Sequence, residues 1–420
     1  VKSVRTELPA SQALALILAE TEVLAPETVD VRAALGRVLA EPIASGRRIP
    51  PADNSAMDGY AVRRADLAAA SRAKPALLRV AFEVAAGGAA PRRLEAGEAA
   101  RILTGAPLPP GADAVVRQED VEREGEGVRI PLCPQPREHV RDAGEDVEIG
   151  DLVLEPGRTI GPAEAGMLAS LGRGVVAVHQ RPRVAILSGG DELVEPDGDV
   201  AGGRIVSSNS YTLAAQCREV GAEPVYLGIA RDTPEDLLQR FRGGLRADLI
   251  VSSAGVSVGD RDYVRDVLAR LGCELRFFGV QIKPGYPLAF GRLGASGALV
   301  FGLPGNPVSA MVTFEEFVRP ALRKMTGHRA LFRPLVRARL AERLAKKPGR
   351  MHFVRVVLER RGGEIWARGA GNQSSGALSS MIRGQGLLVF PAEASELGAG
   401  EDAAVQVIDE SFLASSEPGF

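Results

Sequence analysis

The sequence predicts an α/β protein with a β-rich insertion ahead of its central domain and a second β-domain behind it. Three observations carry that prediction. Across residues 183–324, short apolar runs alternate with amphipathic helical stretches, the pattern of a doubly wound, mostly parallel sheet covered on both faces. At 47–140, and again from about Phe332 onward, short apolar runs are broken by glycine and proline, as in small β-domains. The length of 420 residues exceeds the roughly 250 to 300 at which a single core stops growing, so several domains are expected.

Taken in order, residues 9–45 read as a helix around Leu14, Leu16, Ile17 and Leu18, then a second helical turn around Val31 to Leu39, closed by Gly36 and Pro42. The β-insertion follows, with runs at 77–84, 114–116 and 128–131. Helical periodicity returns at 163–171, and this segment is expected to pack back on the N-terminal helices, so that the β-domain interrupts one unit. In the central domain strands are predicted at 183–188, 225–229, 249–252, 275–280 and 298–302, with helices at 208–220, 234–245, 262–271 and 307–324. The last segment offers strands at 336–340, 353–358, 364–368, 386–390 and 403–408. Gly362 and Gly363 mark a hairpin, and the whole suggests a small barrel or sandwich.

Composition excludes several function classes. The 51 basic and 53 acidic side chains leave a formal charge of -2 with no block of like charge, which argues against nucleic acid or an anionic membrane as partner. No run of about 18 apolar residues exists, so no membrane span is expected. The apolar stretch 13–19 follows Ser11 and runs into Glu20 and Glu22, which fits a capped helix better than a signal peptide. Cys133, Cys217 and Cys273 form no C-x-x-C or zinc spacing with His139, His179, His328 and His352, and none of those histidines falls in a motif. A cytoplasmic chain without disulfides is the expectation. Lysine occurs only at Lys2, Lys74, Lys283, Lys324, Lys346 and Lys347, so a lysine inside a motif is informative.

Open α/β sheets bind ligands beyond the carboxyl ends of their strands, and here those loops are rich in glycine, serine and acid. Ser188, Gly189, Gly190, Asp191 and Glu192 follow one predicted strand; Arg231 and Asp232 follow the next; Gly255, Ser257, Gly259 and Asp260 follow a third. Glycine amides at such turns cradle phosphate, while carboxylates beside them would repel it. That conflict disappears if Asp191, Glu192, Asp232 or Asp260 hold a hard cation such as Mg2+. The plainer alternative is helix capping, by Asp232 before Pro234 and by Asp260 or Asp262 at the next helix. Three acid-bearing strand ends on one edge favour a functional crevice. Lys283-Pro284-Gly285-Tyr286-Pro287 and the loop from Leu303 through Pro304, Asn306 and Pro307 to Ser309 add stiff walls, and Lys283 points to an anion site. Polar clusters around Asp58, Thr104 and Asp146 are weak signals when read alone.

Together the motifs PPADNSAMDGYAVR, RILTGAPLPPGADAVV, GEDV, LSGGDEL, SNSYTL, GVSVGDRD, KPGYP and LPGNPVS, in that order, closely resemble the molybdopterin molybdenumtransferase family, the bacterial MoeA proteins and the homologous domain of gephyrin-type proteins. The resemblance implies a four-domain, elongated homodimer. Its parts here would be 1–45 with 141–178 as a helical or linker domain, 46–140 as the inserted β-domain, 179–328 as the α/β molybdopterin-binding domain and 329–420 as a C-terminal β-barrel.

It also implies a chemistry: adenylylated molybdopterin and molybdate are bound, Mg2+ assists pyrophosphate cleavage, AMP leaves, and the dithiolene sulfurs take the metal. The crevice would lie between the α/β domain of one subunit and the β-domain of the other. By motif, the catalytic set carried over is Asp58, Thr104, Asp146, Glu192, Asp232, Asp260 and Lys283, with Glu192 and Asp260 nearest the metal and Asp58 and Asp146 on the pterin edge. Ser188, Gly189, Gly190, Gly255, Ser257, Gly259, Pro304, Pro307, Ser309, Arg355 and Ser375 would line the ligand. Other proteins of cofactor biosynthesis are conceivable partners.

Three positions depart from the family pattern. Relatives usually read KPGKP, so Tyr286 replaces a lysine resembling an oxyanion holder; the pocket should weaken unless Lys283, Ser309, or Arg355 with Ser375, compensate. Ala254 and Gly190 stand where glycine and threonine are usual, and the loops are expected to survive both. Rival readings are a gephyrin-type scaffold with weakened catalysis, a tungsten-specific insertase, and a plain adenylyltransferase, which would not need the inserted domain.

Overall fold

The computed structural model of the chain describes residues 5–253 and 263–414. Its central layer is a seven-stranded sheet in the order Arg5–Leu8, Cys273–Val280, Ala289–Leu293, Leu299–Gly302, Leu249–Ser252, Arg183–Gly189, Glu223–Ala230. Both faces of its strands are apolar and buried. Val184, Ile186, Leu249 and Val251 pack on one side with the helices Ala10–Glu20, Ser208–Glu219 and Pro307–Thr313. Ala185, Leu187 and Ile250 pack on the other with Pro234–Gly243 and Tyr263–Arg270. Each such side chain taken fully from water contributes about 1.5 to 3 kcal/mol, which explains why these strands read as continuous apolar runs.

Two strands of this sheet lie outside the runs that the sequence predicts. Ala289–Leu293 runs antiparallel to both neighbours, so the mostly parallel sheet is mixed at one side. The eight residues from Gln281 to Leu288 are too few for a helical crossover and can only turn the chain back. Arg5–Leu8 adds a parallel edge strand, and the helix Ala10–Glu20 joins the same core, whereas the sequence reading grouped all of 1–45 with 141–178.

The helical turn expected around 31–39 is a 3-10 turn, Val31–Ala33, after which Gly36 takes a φ of 74° and the chain enters bridges to the 159 and 178 region. Around it Pro26–Asp30 pairs with Val175–His179 and Ile43–Ala44 with Leu152–Leu154, closing a small unit over Val31, Leu39, Ile160, Leu168 and Val176. The intervening chain is the inserted β-domain, a six-stranded sheet centred on Gly59–Val62, Glu98–Ile102 and Ala76–Val84.

At the other end Met351–Arg361, Glu364–Gly369, Leu335–Leu340, Asp402–Val407 and Gly386–Phe390 pair in a ring that returns to Met351–Arg361, a closed five-stranded barrel. The hairpin at Gly362 and Gly363 has φ of 55° and 85°, the geometry that selects glycine twice. Phe353 and Leu387 of the barrel insert into the main α/β core, fixing the two domains together. The long helix between them widens to π-helical over Phe314–Val318, just ahead of Pro320, which offers no amide to the preceding turn.

Candidate active site

The inserted domain gathers its three polar motifs at one end. Gly105 donates its amide to the Ser55 carbonyl at 2.8 Å, Leu108 to Asp53 O at 2.9 Å, and Ala143 to the Asp53 carboxylate at 2.9 Å. Within this junction Asp58 Oδ1 accepts from both the amide (2.7 Å) and the hydroxyl (2.8 Å) of Thr104. Those bonds hold its carboxyl below the usual range. Gly59 is required next to it, since a side chain there would meet the Val116 carbonyl at 2.1 Å. Asp146 is exposed on the adjoining segment, which is anchored by its own amide to Ile49 O at 3.0 Å. No hydrogen bond among the described residues joins this cluster to the α/β crevice of the same chain.

The carboxyl edge of the central sheet carries two features of opposite charge. One is acidic. Ser188 is buried with its hydroxyl 3.3 Å from that of Ser253, Gly189 ends the strand, and the Gly190 amide bonds Ala230 O at 3.1 Å. Gly190 has a φ of 145°, and a Cβ there would lie 2.6 Å from the Glu192 carboxylate, so the threonine usual in relatives would be strained here. Asp191 accepts from the Asp232 amide at 3.2 Å. Burial first, then the charges of Asp191 and Glu192, raise the Asp232 carboxyl above its ordinary value. Capping does not explain Asp232: the helix Pro234–Gly243 is capped by Thr233. The calls on Gly255, Ser257, Gly259 and Asp260, with Ala254, lie outside the described residues.

The other feature is a cleft of about 570 Å³ between the sheet edge and the barrel, lined by Lys283, Tyr286, Ser309, Arg350 and Ser375 among others. The turn between the two antiparallel strands reaches outward here, and Ile282–Lys283 pairs with Met351 and His352 of the barrel. Gly285 packs so closely that a Cβ would meet Thr313 at 2.4 Å. Pro304 is buried, Pro307 opens the next helix, and the Val308 amide donates to Ser375 O at 3.0 Å, tying the loop to the barrel. Lys283 is exposed and makes no hydrogen bond or ion pair among the described residues. Burial and the Lys283 charge push His352 down to about 4, so the imidazole behind the cleft is neutral.

Arg355 is not on the wall of the cleft. It is fully buried beneath it, donating to Ser374 O and Ser380 Oγ at 3.2 Å each, while its backbone clasps the Gln373 amide. One guanidinium nitrogen has no partner among the described residues, and burial lowers the pKa of Arg355 to about 10. Lys283 and the acidic group stand at the same edge but four strand spacings apart, about 19 Å.

A molybdopterin molybdenumtransferase from Nostoc sp. is 39% identical over 389 residues, covering 90% of this chain and 88% of the relative. The chain belongs to the molybdopterin molybdenumtransferase (MoeA) family. Such a protein from Haemophilus influenzae is 36% identical over 90% of the chain. The family models agree segment by segment: the MoeA N-terminal region (domain I and II) matches residues 8–172, a probable molybdopterin binding domain 185–324, and the MoeA C-terminal region (domain IV) 337–408. The molybdopterin biosynthesis MoeA protein of Pyrococcus horikoshii superposes with a TM-score of 0.82 at 34% identity, covering 96% of this chain and 99% of that one. This MoeA chain is therefore a transferase of molybdenum cofactor biosynthesis.

Sequence reading assigned no role to Asn209, Arg350 or Glu7. Asn209 donates to Gly305 O at 2.7 Å and keeps a buried carbonyl oxygen beside the LPGNP loop with no partner among the described residues. Its place in SNSYTL was visible, but a serine-rich helix start reads as capping. Glu7 lies 279 residues from the tyrosine it contacts, and no local pattern signals that.

Proposed function

We propose that the chain inserts molybdenum from molybdate into adenylylated molybdopterin, with Mg2+ dependence and release of AMP. The observation that carries this reading is the cleft where unpaired Lys283 stands with the hydroxyls of Ser309 and Ser375, a setting for a small tetrahedral oxyanion. The acidic end of the same edge suits the nucleotide end of the substrate. Ser188, Gly189 and Gly190, with Gly255, Ser257 and Gly259, would surround its phosphates, and the separation of about 19 Å calls for an extended ligand.

Among the described residues no three His, Cys, Asp or Glu groups form a ready metal cage. Mg2+ rarely needs one, taking one or two carboxylates with substrate phosphates, and the repulsion felt at Asp232 is what a cation relieves. Glu192 and Asp260 would hold it, where it would neutralise charge on the pyrophosphate as AMP departs. Asp232 helps set the field around them. Pro304 and Pro307 keep the wall between the two ends stiff, and Arg355 supports the loop bearing Ser375 from below. Asp58, Thr104 and Asp146 would reach the pterin's amino and amide edge from the inserted domain of a second copy, making the working unit a homodimer.

The test incubates purified protein with adenylylated molybdopterin, MgCl2 and molybdate, with tungstate in parallel. Release of AMP with cofactor that activates an apo-molybdoenzyme is the expected result. Binding without turnover would favour the scaffold reading, and turnover with tungstate alone the tungsten-specific one.

A further inference from the structure

We infer that the cavity at the amino edge of the central sheet, between the small unit and the ends of two helices of the α/β domain, is a second binding site, for a pyrophosphate-bearing anion. The cavity holds about 600 Å³, within the ordinary range for a small-ligand pocket. Its walls come from the small unit around Val38, the connection bearing His179 and Arg181, and the carboxyl ends of the helices Ser208–Glu219 and Arg319–Met325. It lies where the strands Arg183–Gly189 and Glu223–Ala230 begin, whereas the crevice described above lies where they end. The two sites therefore stand about 20 Å apart, on opposite edges of one sheet. The function proposed above uses neither this edge nor these residues.

The wall is cationic, and most of its cations lack partners. Arg181, Arg218 and Arg323 make no ion pair among the described residues, and the first two make no side-chain hydrogen bond either. Arg323 uses only its Nε, which donates to Ala330 O at 2.7 Å. The fourth arginine, Arg37, is held by Glu27 and the His179 carbonyl, and the carboxylate in the wall, Glu219, is engaged by Arg333. A plainer account has Arg218 and Arg323 offset the dipoles of the helices whose last turns they occupy. Two helix ends carry about half a negative charge each, roughly one in all, against three guanidinium charges, and Arg181 belongs to no helix. A positive surplus remains. Its field reaches the imidazoles: burial, then the Arg323 charge, pushes His328 down to about 4. The Thr326 hydroxyl gives its one proton to the carbonyl of Leu322 or Arg323, so His328 Nδ1, 2.7 Å away, donates to Thr326 Oγ1 and leaves Nε2 able to take a proton. His179 is set the same way, its Nδ1 facing Leu24 O at 2.9 Å. Guanidinium forks match paired phosphate oxygens, and three around one cavity suit a ligand with more than one phosphate. Such an anion would bridge the small unit, and with it the inserted domain, to the central layer.

The test is calorimetric titration of sodium pyrophosphate into the full-length chain without divalent metal, so that the acidic end of the carboxyl edge does not contribute. The parent should bind, Arg181→Ala and Arg218→Ala should each weaken binding about fivefold, and the double variant about twentyfold or more, the loss of two charge-assisted contacts. Both side chains are exposed and without internal bonds among the described residues, so these variants should melt with the parent. Lys283→Ala at the carboxyl edge, and Arg123→Ala at an exposed arginine of the inserted domain, should bind like the parent. ADP titrated in parallel identifies the source: binding about fivefold tighter than pyrophosphate would name a nucleotide, equal or weaker binding the free anion, and either supports the site. Absence of pyrophosphate binding by the parent, or equal binding by the double variant, would overturn the inference. So would a loss in Lys283→Ala alone, which moves the anion to the other edge, or an equal loss in Arg123→Ala, which reduces the effect to general charge. Equal affinity for sulfate would leave an adventitious ion only, and binding of polyglutamate in place of pyrophosphate would overturn the ligand class in favour of an acidic peptide.

Discussion

The two ends of the sheet's carboxyl edge solve opposite electrostatic problems. At the barrel side, proline-stiffened loops, a docked second domain and Arg350 stacked on the Tyr286 ring present cations without a hydrogen-bond or ion-pair partner among the described residues. At the other side burial, and then the neighbouring charges of Asp191 and Glu192, raise the cost of ionising Asp232. Under the function proposed above, each end would receive a charge opposite to its own. An extended substrate with an anion at one end and a cation-bound pyrophosphate at the other meets both demands.

Breaking the basic end should have the largest effect. Lys283→Ala removes a charge-assisted contact and should raise the molybdate Kd by roughly thirtyfold, about 2 kcal/mol, with the thermal midpoint unchanged because the Lys283 ammonium has no partner among the described residues. Next comes the inserted domain, where Asp58→Asn should weaken molybdopterin binding about tenfold while the Mg2+ concentration for half-maximal turnover stays put; the reverse pattern would reassign Asp58 to the metal. At the acidic end Glu192→Gln should raise that Mg2+ requirement about fivefold and leave molybdate titrations untouched.

The smallest effect concerns stability. The folded-state pKa of Asp232 is raised, so the folded chain is disfavoured as pH rises from the ordinary value of 3.8 through the raised one. Asp232→Asn removes that penalty. Its melting temperature should exceed the parent's by less than about 2 °C at neutral pH, since the group is largely exposed, and the gain should vanish below the ordinary carboxylate range.

Much of this architecture was legible because burial writes itself into sequence. Val184 to Leu187 and Leu249 to Val251 are apolar on both faces, and Gly362 with Gly363 can hardly be anything but a tight hairpin. What escaped detection obeys weaker signals. Arg5–Leu8 is an exposed edge strand with alternating charge, and Ala289–Leu293 is short and interrupted by Gly291. At the site, Lys283, Ser309 and Ser375 were expected to meet and line one cleft, as were Asp58 and Thr104, which share hydrogen bonds. Arg355 was expected at the ligand yet lies under the loop, because nothing local distinguishes an arginine that braces a turn from one that faces solvent. The contacts of Tyr286 with Glu7 and Arg350 depend on three distant segments and could only come from the fold.

The most direct measurement is the anomalous scattering of crystals of the chain soaked in tungstate as a heavy stand-in for molybdate. The account predicts a tungsten peak in the cleft within contact of Lys283, Ser309, Arg350 and Ser375. A peak elsewhere, with that cleft filled by solvent, would contradict it.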